Sequence, residues 1–174
     1  LNTMQRMSGI ATISKQCHDA VADLPVKILD TRKTTPLIRF LEKWAVNIGG
    51  CENYRWGLYD WIMIKDNHVE ACGDIALAID RVHEYLQKTQ KDLSITIEVR
   101  NLVELQKVLD HGGVTRIMMD NFEIPILKEA VAMVNKRFET EASGGIDLHN
   151  VRAYAETGVD YVSSGALTHS AGTM

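Results

Sequence analysis

The chain has 174 residues, of which 45% are apolar and 24% are charged, and its formal net charge is −4. This length and composition suit a single soluble globular domain and disfavour disordered and fibrous proteins. The small negative charge gives no general attraction to nucleic acid or acidic membranes, and no apolar run reaches the ~20 residues that cross a bilayer. We therefore expect no nucleic-acid partner and no membrane partner.

The cysteine pattern indicates the compartment. Cys17, Cys51 and Cys72 are odd in number and show no CxxC spacing. Such a pattern favours free thiols over disulfides or structural zinc. Residues 1–12 also lack the charged-then-apolar plan of a signal peptide. Both features predict a cytoplasmic protein.

Short β-patterned runs alternate with helix-like segments along the whole chain. The predicted strands are 26–31, 61–66, 94–99, 116–120, 138–143 and 161–165. Between them, apolar residues recur at spacings of three and four, which is typical of amphipathic helices. The predicted helices are 35–48, 75–88, 102–111, 124–137 and 148–157.

This alternation predicts an α/β fold in which helices cover a parallel sheet. A barrel builds its site from the loops at the carboxyl ends of all its strands, whereas a doubly wound sheet concentrates its site at one switch point. All six predicted strands end in polar residues, and no GxGxxG motif is present. We therefore predict that residues 1–174 form one domain, a parallel (β/α) TIM-like barrel with six strands.

Four cations lie at or near the predicted strand ends, namely Arg32, Lys33, Arg55 and Lys65. Arginine can hold a carboxylate or phosphate with two parallel hydrogen bonds, and lysine acts as a compact charge. Together they predict a substrate rich in negative charge. The alternative is that they are solvated loop cations.

Two carboxylates, Glu98 and Asp120, end consecutive predicted strands, which are usually neighbours in space. Such a pair could hold Mg²⁺ together with substrate phosphate oxygens, or stabilise a cationic transition state. The alternative is that each forms a structural ion pair with a nearby Lys or Arg.

Small residues follow the last two predicted strands, at Ser143, Gly144 and Gly145 and again at Ser164 and Gly165. Glycine lets backbone N–H groups approach a phosphate closely, and barrel enzymes often bind phosphate after their final strands. These turns predict a phosphate site, although ordinary turns have the same composition.

Six stretches carry a specific likeness to a known family: LDTRKT (29–34), GLYD (57–60), IKDNH (64–68), MDN (119–121), EASGGI (141–146) and GALTHS (165–170). In this order they resemble quinolinate phosphoribosyltransferase, also called nicotinate-nucleotide pyrophosphorylase (carboxylating). Residues 1–12 resemble the helix that precedes the barrel of that family. The likeness extends over nearly the whole chain.

The resemblance implies phosphoribosyl transfer from phosphoribosyl pyrophosphate to quinolinate with decarboxylation. The products would be nicotinate mononucleotide, CO₂ and pyrophosphate, in NAD biosynthesis. It implies catalytic roles for Lys65, Glu98 and Asp120, and Mg²⁺ held by Glu98 and Asp120. It also implies a substrate-binding set: Arg32, Lys33, Tyr54, Arg55, Lys65, Asn67, His68, Ser143, Gly144, Gly145, Ser164, Gly165 and His169.

The chain departs from the family at several positions. The family usually has His where this chain has Tyr54, Gly at Leu37 and Cys51, and in many members Glu at Thr96. Its members also carry an amino-terminal α/β domain and a further strand after the GALTHS motif. We therefore expect an incomplete barrel here and a homodimer in the full-length protein.

Two alternatives remain open. The chain could be a catalytically impaired barrel that serves as a scaffold for a phosphorylated ligand or a partner chain. It could also keep the barrel and use another acceptor, because a related branch of the family has similar motifs.

Overall fold

The computed structural model describes residues 1–172, which form a six-stranded sheet flanked by helices. The strands are β1 Lys27–Leu29, β2 Ile62–Ile64, β3 Ile95–Val99, β4 Arg116–Asp120, β5 Glu139–Ser143 and β6 Tyr161–Ser163. The helices are α1 Asn2–Ala20, α2 Arg39–Ile48, α3 Asp66–Cys72, α4 Ile75–Thr89, α5 Leu102–His111, α6 Ile124–Val134, α7 Val151–Ala155 and α8 Ala166–His169.

All the strand pairs are parallel, and the strand order is β1-β6-β5-β4-β3-β2. Consecutive strands from β2 to β6 are neighbours, and β1 lies beside β6 through Leu29 and Ser163. This is the order of a barrel opened between β1 and β2. At that gap Glu52 forms an isolated bridge with Leu29. The predicted incomplete barrel of α/β type is therefore confirmed.

The apolar residues form two separate cores. The larger core lies between the sheet and the helices and includes Ile97, Ile117 and Leu105, all fully buried. The smaller core lies on the other face of the sheet, inside the open barrel, and contains Leu29, Tyr54 and Met118. Both faces of the sheet are covered, so even Thr140 and Glu141 of β5 are buried.

Helix α5 matches its predicted bounds because its end signals are strong. The Asn101 side chain accepts a hydrogen bond from the Glu104 backbone N–H at 2.9 Å. The helix ends at Gly112, whose φ of +76° suits glycine.

Several predicted bounds were wrong. The strands β1 and β6 end at Leu29 and Ser163, so Asp30 and Thr31 lie in a loop, as do Ser164 and Gly165. Helix α2 begins four residues later than predicted. The chain turns at Leu37, whose positive φ is incompatible with a helix.

Two helices were not predicted, α3 and α8, and α1 continues to Ala20, beyond residues 1–12. Helix α3 begins at Asp66, which the sequence placed in a strand. A side chain starts this helix, since the His68 ring nitrogen Nδ1 accepts a hydrogen bond from the Lys65 backbone N–H at 2.9 Å. No helix within residues 1–172 is both long enough and apolar enough to cross a membrane.

Leu37 provides a test of backbone strain. Its φ is +68° and its side chain is fully exposed. Replacing it with Gly should remove about 1–2 kcal/mol of left-handed strain while adding about 0.5–1 kcal/mol of unfolded-chain entropy. We expect Leu37→Gly to raise the free energy of unfolding by up to about 1 kcal/mol, measured by urea titration.

The matched control is Leu58→Gly. Leu58 is another exposed loop leucine, and it is not among the residues with positive φ. The control should lose stability or stay unchanged. A fall in stability for Leu37→Gly as large as in the control would show that the left-handed backbone carries no strain.

Candidate active site

A cavity of about 620 Å³ opens at the carboxyl ends of the strands. It collects side chains that lie far apart in the sequence. Twelve of the predicted site residues line it: Arg32, Lys33, Tyr54, Arg55, Lys65, Glu98, Asp120, Ser143, Gly144, Gly145, Gly165 and His169.

Three predicted site residues do not line the cavity. Asn67 and His68 are exposed on α3, where the His68 ring is engaged with the Lys65 backbone. Ser164 is buried, and its hydroxyl donates to the Ile146 carbonyl at 2.6 Å. His68 thus makes a capping contact and Ser164 a packing contact, and the substrate-binding role of all three residues stays a prediction.

The sequence reasoning missed several lining residues, among them Met63, Met118, Asn121 and Asp147. Met63 and Met118 each lie two positions before a predicted site residue. Because side chains alternate between the faces of a strand, that spacing of two was a usable signal. Asn121 and Asp147 follow β4 and β5, in loops that the sequence already placed at the mouth.

Three cations of the cavity have no ion pair among the described residues. They are Arg32, Lys33 and Arg55. The Nε of Arg32 is buried and lacks a hydrogen-bond partner within residues 1–172. Burial lowers the pKa of Arg55, and the charge of Arg32 lowers it further. Since like charges held together repel, an anionic ligand between them would be bound strongly.

The fourth cation is paired. Lys65 Nζ lies 2.8 Å from Glu98 Oε2, and the Glu98 side chain is 8% exposed. This contact fits the alternative in which Glu98 belongs to a structural ion pair. The pair nevertheless lies in the lining of the cavity, where a ligand can reach Lys65.

Glu98 and Asp120 project from adjacent strands. Glu98 is in register with Met118, two positions before Asp120, so both carboxylates are on the cavity side. Asp120 accepts a hydrogen bond from the Asn121 amide at 2.6 Å. No group of three or more His, Cys, Asp or Glu side chains within residues 1–172 could hold a metal by itself. Two carboxylates still fit Mg²⁺, because this ion commonly takes one or two carboxylates and completes its shell with water and substrate phosphate.

Gly144 after β5 and Gly165 after β6 are packed so closely that the side chain of any other residue would clash. A Cβ on Gly144 would lie 2.3 Å from Asn121 Oδ1 and 2.8 Å from the Asn121 backbone nitrogen, and the φ of Gly144 is +102°. A Cβ on Gly165 would lie 2.9 Å from the His169 ring and 3.2 Å from Lys33 Cδ. These two positions therefore need glycine for close packing and, at Gly144, for backbone conformation as well.

The comparison with known families shows which family the chain belongs to. The model of the quinolinate phosphoribosyl transferase C-terminal domain matches residues 10–174. The chain belongs to this family. The predicted family is thereby confirmed.

Relatives of known name support this membership. A protein of Nicotiana tabacum named quinolinate phosphoribosyltransferase [decarboxylating] 2b, mitochondrial, is 47% identical over 184 residues, which cover 98% of this chain and 52% of the relative. A Bacillus subtilis protein named probable nicotinate-nucleotide pyrophosphorylase [carboxylating] is 43% identical over 98% of this chain and 57% of the relative. The chain spans about half the length of the curated relatives it matches.

A solved structure has the same fold. The nicotinate-nucleotide pyrophosphorylase from Ehrlichia chaffeensis superposes with a TM-score of 0.90 and 44% identity, over 97% of this chain and 60% of that one. The close superposition shows that this chain has the fold of the matched part of a solved relative.

Two of the departures from the family pattern contact each other at the floor of the cavity. The Tyr54 hydroxyl lies 2.7 Å from Thr96 Oγ1, and the Trp61 indole N–H donates to the same oxygen at 2.8 Å. Burial raises the pKa of Tyr54 well above its usual range. The phenol is therefore neutral at physiological pH, and its hydroxyl is already engaged with Thr96.

Below this floor lies a buried ionic cluster. The guanidinium of Arg116 pairs with Glu139 at 2.9 Å and with Glu141 at 3.2 Å. The Cζ carbon of Arg116 lies 3.6 Å from the centroid of the Tyr161 ring. Burial raises the pKa of Glu141, and Arg116 opposes this rise. The Arg116 guanidinium also lies over the Tyr54 and Trp61 rings, so the cluster packs against the smaller core.

Proposed function

We propose that this chain performs the phosphoribosyl transfer of a quinolinate phosphoribosyltransferase, from phosphoribosyl pyrophosphate to quinolinate with loss of CO₂. The observation that carries the proposal is the cavity with three cations that have no ion pair within residues 1–172, the facing carboxylates Glu98 and Asp120, and the close-packed Gly144 and Gly165. A site that binds both a dicarboxylate and a sugar carrying pyrophosphate needs cations, carboxylates and glycines of this kind. The products would be nicotinate mononucleotide, CO₂ and pyrophosphate.

In this proposal Arg32, Arg55 and Lys65 hold the two carboxylates of quinolinate. The Nε of Arg32 supports this role, because it is buried and finds no partner among residues 1–172, and such a donor is costly unless a ligand satisfies it. Arginine also suits a planar carboxylate better than lysine does. The held dicarboxylate then presents its ring nitrogen to the sugar.

Glu98 and Asp120 stabilise the positive charge that develops on the ribose as pyrophosphate leaves. Both face the cavity from adjacent strands, which is what electrostatic stabilisation of such a charge requires. When bound, Mg²⁺ would neutralise charge on the departing pyrophosphate, with Glu98 and Asp120 as its protein ligands. Lys65, in contact with Glu98, would link the quinolinate end of the cavity to the ribose end.

The 5′-phosphate would lie at the other end of the cavity. Ser143, Gly144 and Gly145 offer backbone N–H groups there, and Gly165 allows a close approach beside His169 and Lys33. Lys33 and His169 adjoin each other at Gly165, so both can contact one phosphate.

Homodimer formation is a further part of the proposal. The rings of Phe40, Trp44 and Trp56 cluster on the surface with centroid distances of 6.1 and 6.2 Å. All three side chains are at least 36% exposed. Exposed aromatic clusters of this kind are frequent at protein interfaces.

We also propose a cytoplasmic location. Cys17, Cys51 and Cys72 are free thiols, as expected in a reducing compartment. Burial raises the pKa of Cys17 to about 11 and that of Cys51 to about 12, so both are unreactive. The tobacco relative is named as mitochondrial, so fractionation of the native cell is the direct measurement.

A second candidate is the binding scaffold without turnover. It is favoured by the contact between Tyr54 and Thr96, because a neutral and engaged phenol cannot supply the charge of an imidazole. In that case the cavity would still bind both anions.

One assay separates the two candidates. The chain is incubated with quinolinate, phosphoribosyl pyrophosphate and Mg²⁺, and nicotinate mononucleotide and CO₂ are measured. The enzyme should form both products in equal amounts. Ligand-induced stabilisation without product would support the scaffold, and the absence of both would refute either function.

A further inference from the structure

Arg6, on the outer helix α1, makes three hydrogen bonds to two other segments of the chain. Its Nε donates to Glu42 Oε1 at 3.0 Å, and its Nη1 donates to the Ala171 carbonyl at 2.6 Å. Its Nη2 donates to the Thr168 carbonyl. One guanidinium therefore connects α1 with α2 and with the chain around α8.

Glu42 extends this set of contacts. Its side chain is fully buried, and it accepts hydrogen bonds from both the backbone N–H and the hydroxyl of Thr35, each at 2.9 Å. The hydroxyl of Thr168 donates to the Lys33 carbonyl at 2.8 Å. We call the ion pair of Arg6 and Glu42 the clamp. Through these bonds the clamp joins residues 33–35 to residues 168–171.

These two segments carry the residues that meet at Gly165. A Cβ placed there would touch both the His169 ring and the Lys33 side chain, so the two are neighbours. We call Lys33, Gly165 and His169 the phosphate corner. No residue of α1 lines the cavity, yet α1 supplies the cation that fixes both sides of this corner.

The quinolinate end of the cavity is held by different contacts. The Asp30 carboxylate accepts from the Tyr54 backbone N–H at 2.8 Å and from the Asn53 amide at 2.6 Å. Arg39 donates to the Trp56 carbonyl at 2.9 Å. Arg39 also donates to the Arg32 carbonyl at 3.5 Å. Neither Arg6 nor Glu42 takes part in these bonds, so the quinolinate end has side-chain contacts of its own.

We infer that Arg6 and Glu42 are positioning residues for the phosphate corner, which they set from outside the cavity without touching the ligand. The inference rests on the proposed function, because it takes this corner to bind the 5′-phosphate. Displacement of a binding group by about 1 Å can cost on the order of a hundredfold in rate. The clamp therefore affects the phosphorylated substrate selectively.

Two variants test the clamp. Arg6→Lys keeps the charge but loses the planar fork that reaches two carbonyls and a carboxylate at once. The double variant Arg6→Met/Glu42→Gln removes both charges together, so no buried charge is left unpaired. The matched control is Arg152→Met, because Arg152 ties α7 to the other end of α1 through the Ala20 carbonyl and Asp23.

Calorimetry measures binding of phosphoribosyl pyrophosphate and of quinolinate separately, and steady-state kinetics gives the KM of each. Both clamp variants should bind phosphoribosyl pyrophosphate at least about tenfold more weakly, with a matching rise in its KM. Quinolinate binding should change by less than roughly twofold, because its contacts are separate. The control should leave both affinities unchanged.

Equal losses for both ligands, or no loss for phosphoribosyl pyrophosphate, would overturn the inference. So would the same pattern in Arg152→Met, or unfolding of both clamp variants, since each would indicate a purely structural clamp. Failure of the unsubstituted chain to bind either ligand is a different result. It would refute the proposed function and the inference together.

Discussion

Replacing Lys43 with Met is expected to lower the free energy of unfolding by about 3–5 kcal/mol. Lys43 Nζ lies 2.5 Å from Asp30 Oδ1, and both side chains are fully buried. The substitution leaves the Asp30 carboxylate buried without its cation. The remaining donors, the Tyr54 backbone N–H and the Asn53 amide, satisfy hydrogen bonds but supply no positive charge.

The loss should depend on pH. Burial raises the pKa of Asp30, and Lys43 opposes that rise. Without Lys43 the pKa of Asp30 rises further above its unfolded value. A raised folded pKa gives stability that is present below the unfolded pKa and is lost as pH rises through the folded pKa. The deficit of the variant should therefore be largest near neutral pH and should shrink as the pH falls through the pKa of Asp30.

Urea titrations at about pH 7 and about pH 5 measure this difference. The matched control is Lys107→Met, since Lys107 forms an exposed pair with Asp74 at 3.4 Å. An exposed pair of this kind contributes at most about 1 kcal/mol, so the control should change little. A deficit for Lys43→Met as small as the control, or one that grows on acidification, would contradict the expected burial of an ionised Asp30.

Much of the fold could be predicted because its signals are local. Strand β3 and helix α5 follow from an apolar run and from an Asn cap with a Gly end, each within about ten residues. The bounds of β1 and α3 could not be predicted in this way. They depend on Asp30 binding the Tyr54 backbone and on the His68 ring capping Lys65, where a side chain replaces a backbone partner.

The site was predictable to the extent that it lies at strand ends. Arg32, Glu98 and Gly144 were placed at one mouth because parallel strands share their carboxyl edge. The contact between Tyr54 and Thr96 has no local signal, because 42 positions separate the two residues. The same holds for Arg6 and Thr168, which lie 162 positions apart. Such contacts become visible only when the barrel brings its segments together.

In the proposed phosphoribosyl transfer, replacing Glu98 with Gln should lower kcat by a factor of about 100 or more. A preorganised charge aimed at the developing transition state contributes on the order of 10²–10³ in rate. Glutamine keeps the size of the side chain and removes the charge, so the ribose cation loses one stabilising carboxylate. The assay is product formation at saturating concentrations of both substrates.

Quinolinate binding should respond in the opposite direction. In the unsubstituted chain Lys65 Nζ forms an ion pair with Glu98 at 2.8 Å. The substitution removes this ion pair and leaves Lys65 available to bind a ligand carboxylate. Quinolinate should therefore bind Glu98→Gln as tightly as the unsubstituted chain, or more tightly. This split between turnover and affinity distinguishes a lost catalytic charge from a damaged fold.

The control is Asp80→Asn on the outer helix α4. Asp80 pairs with His111 at 3.0 Å on the surface and lies outside the cavity lining. It should leave both kcat and quinolinate affinity unchanged. If Glu98→Gln instead weakened quinolinate binding and left kcat intact, Glu98 would act only by orienting Lys65, and stabilisation of the ribose cation would fall to Asp120.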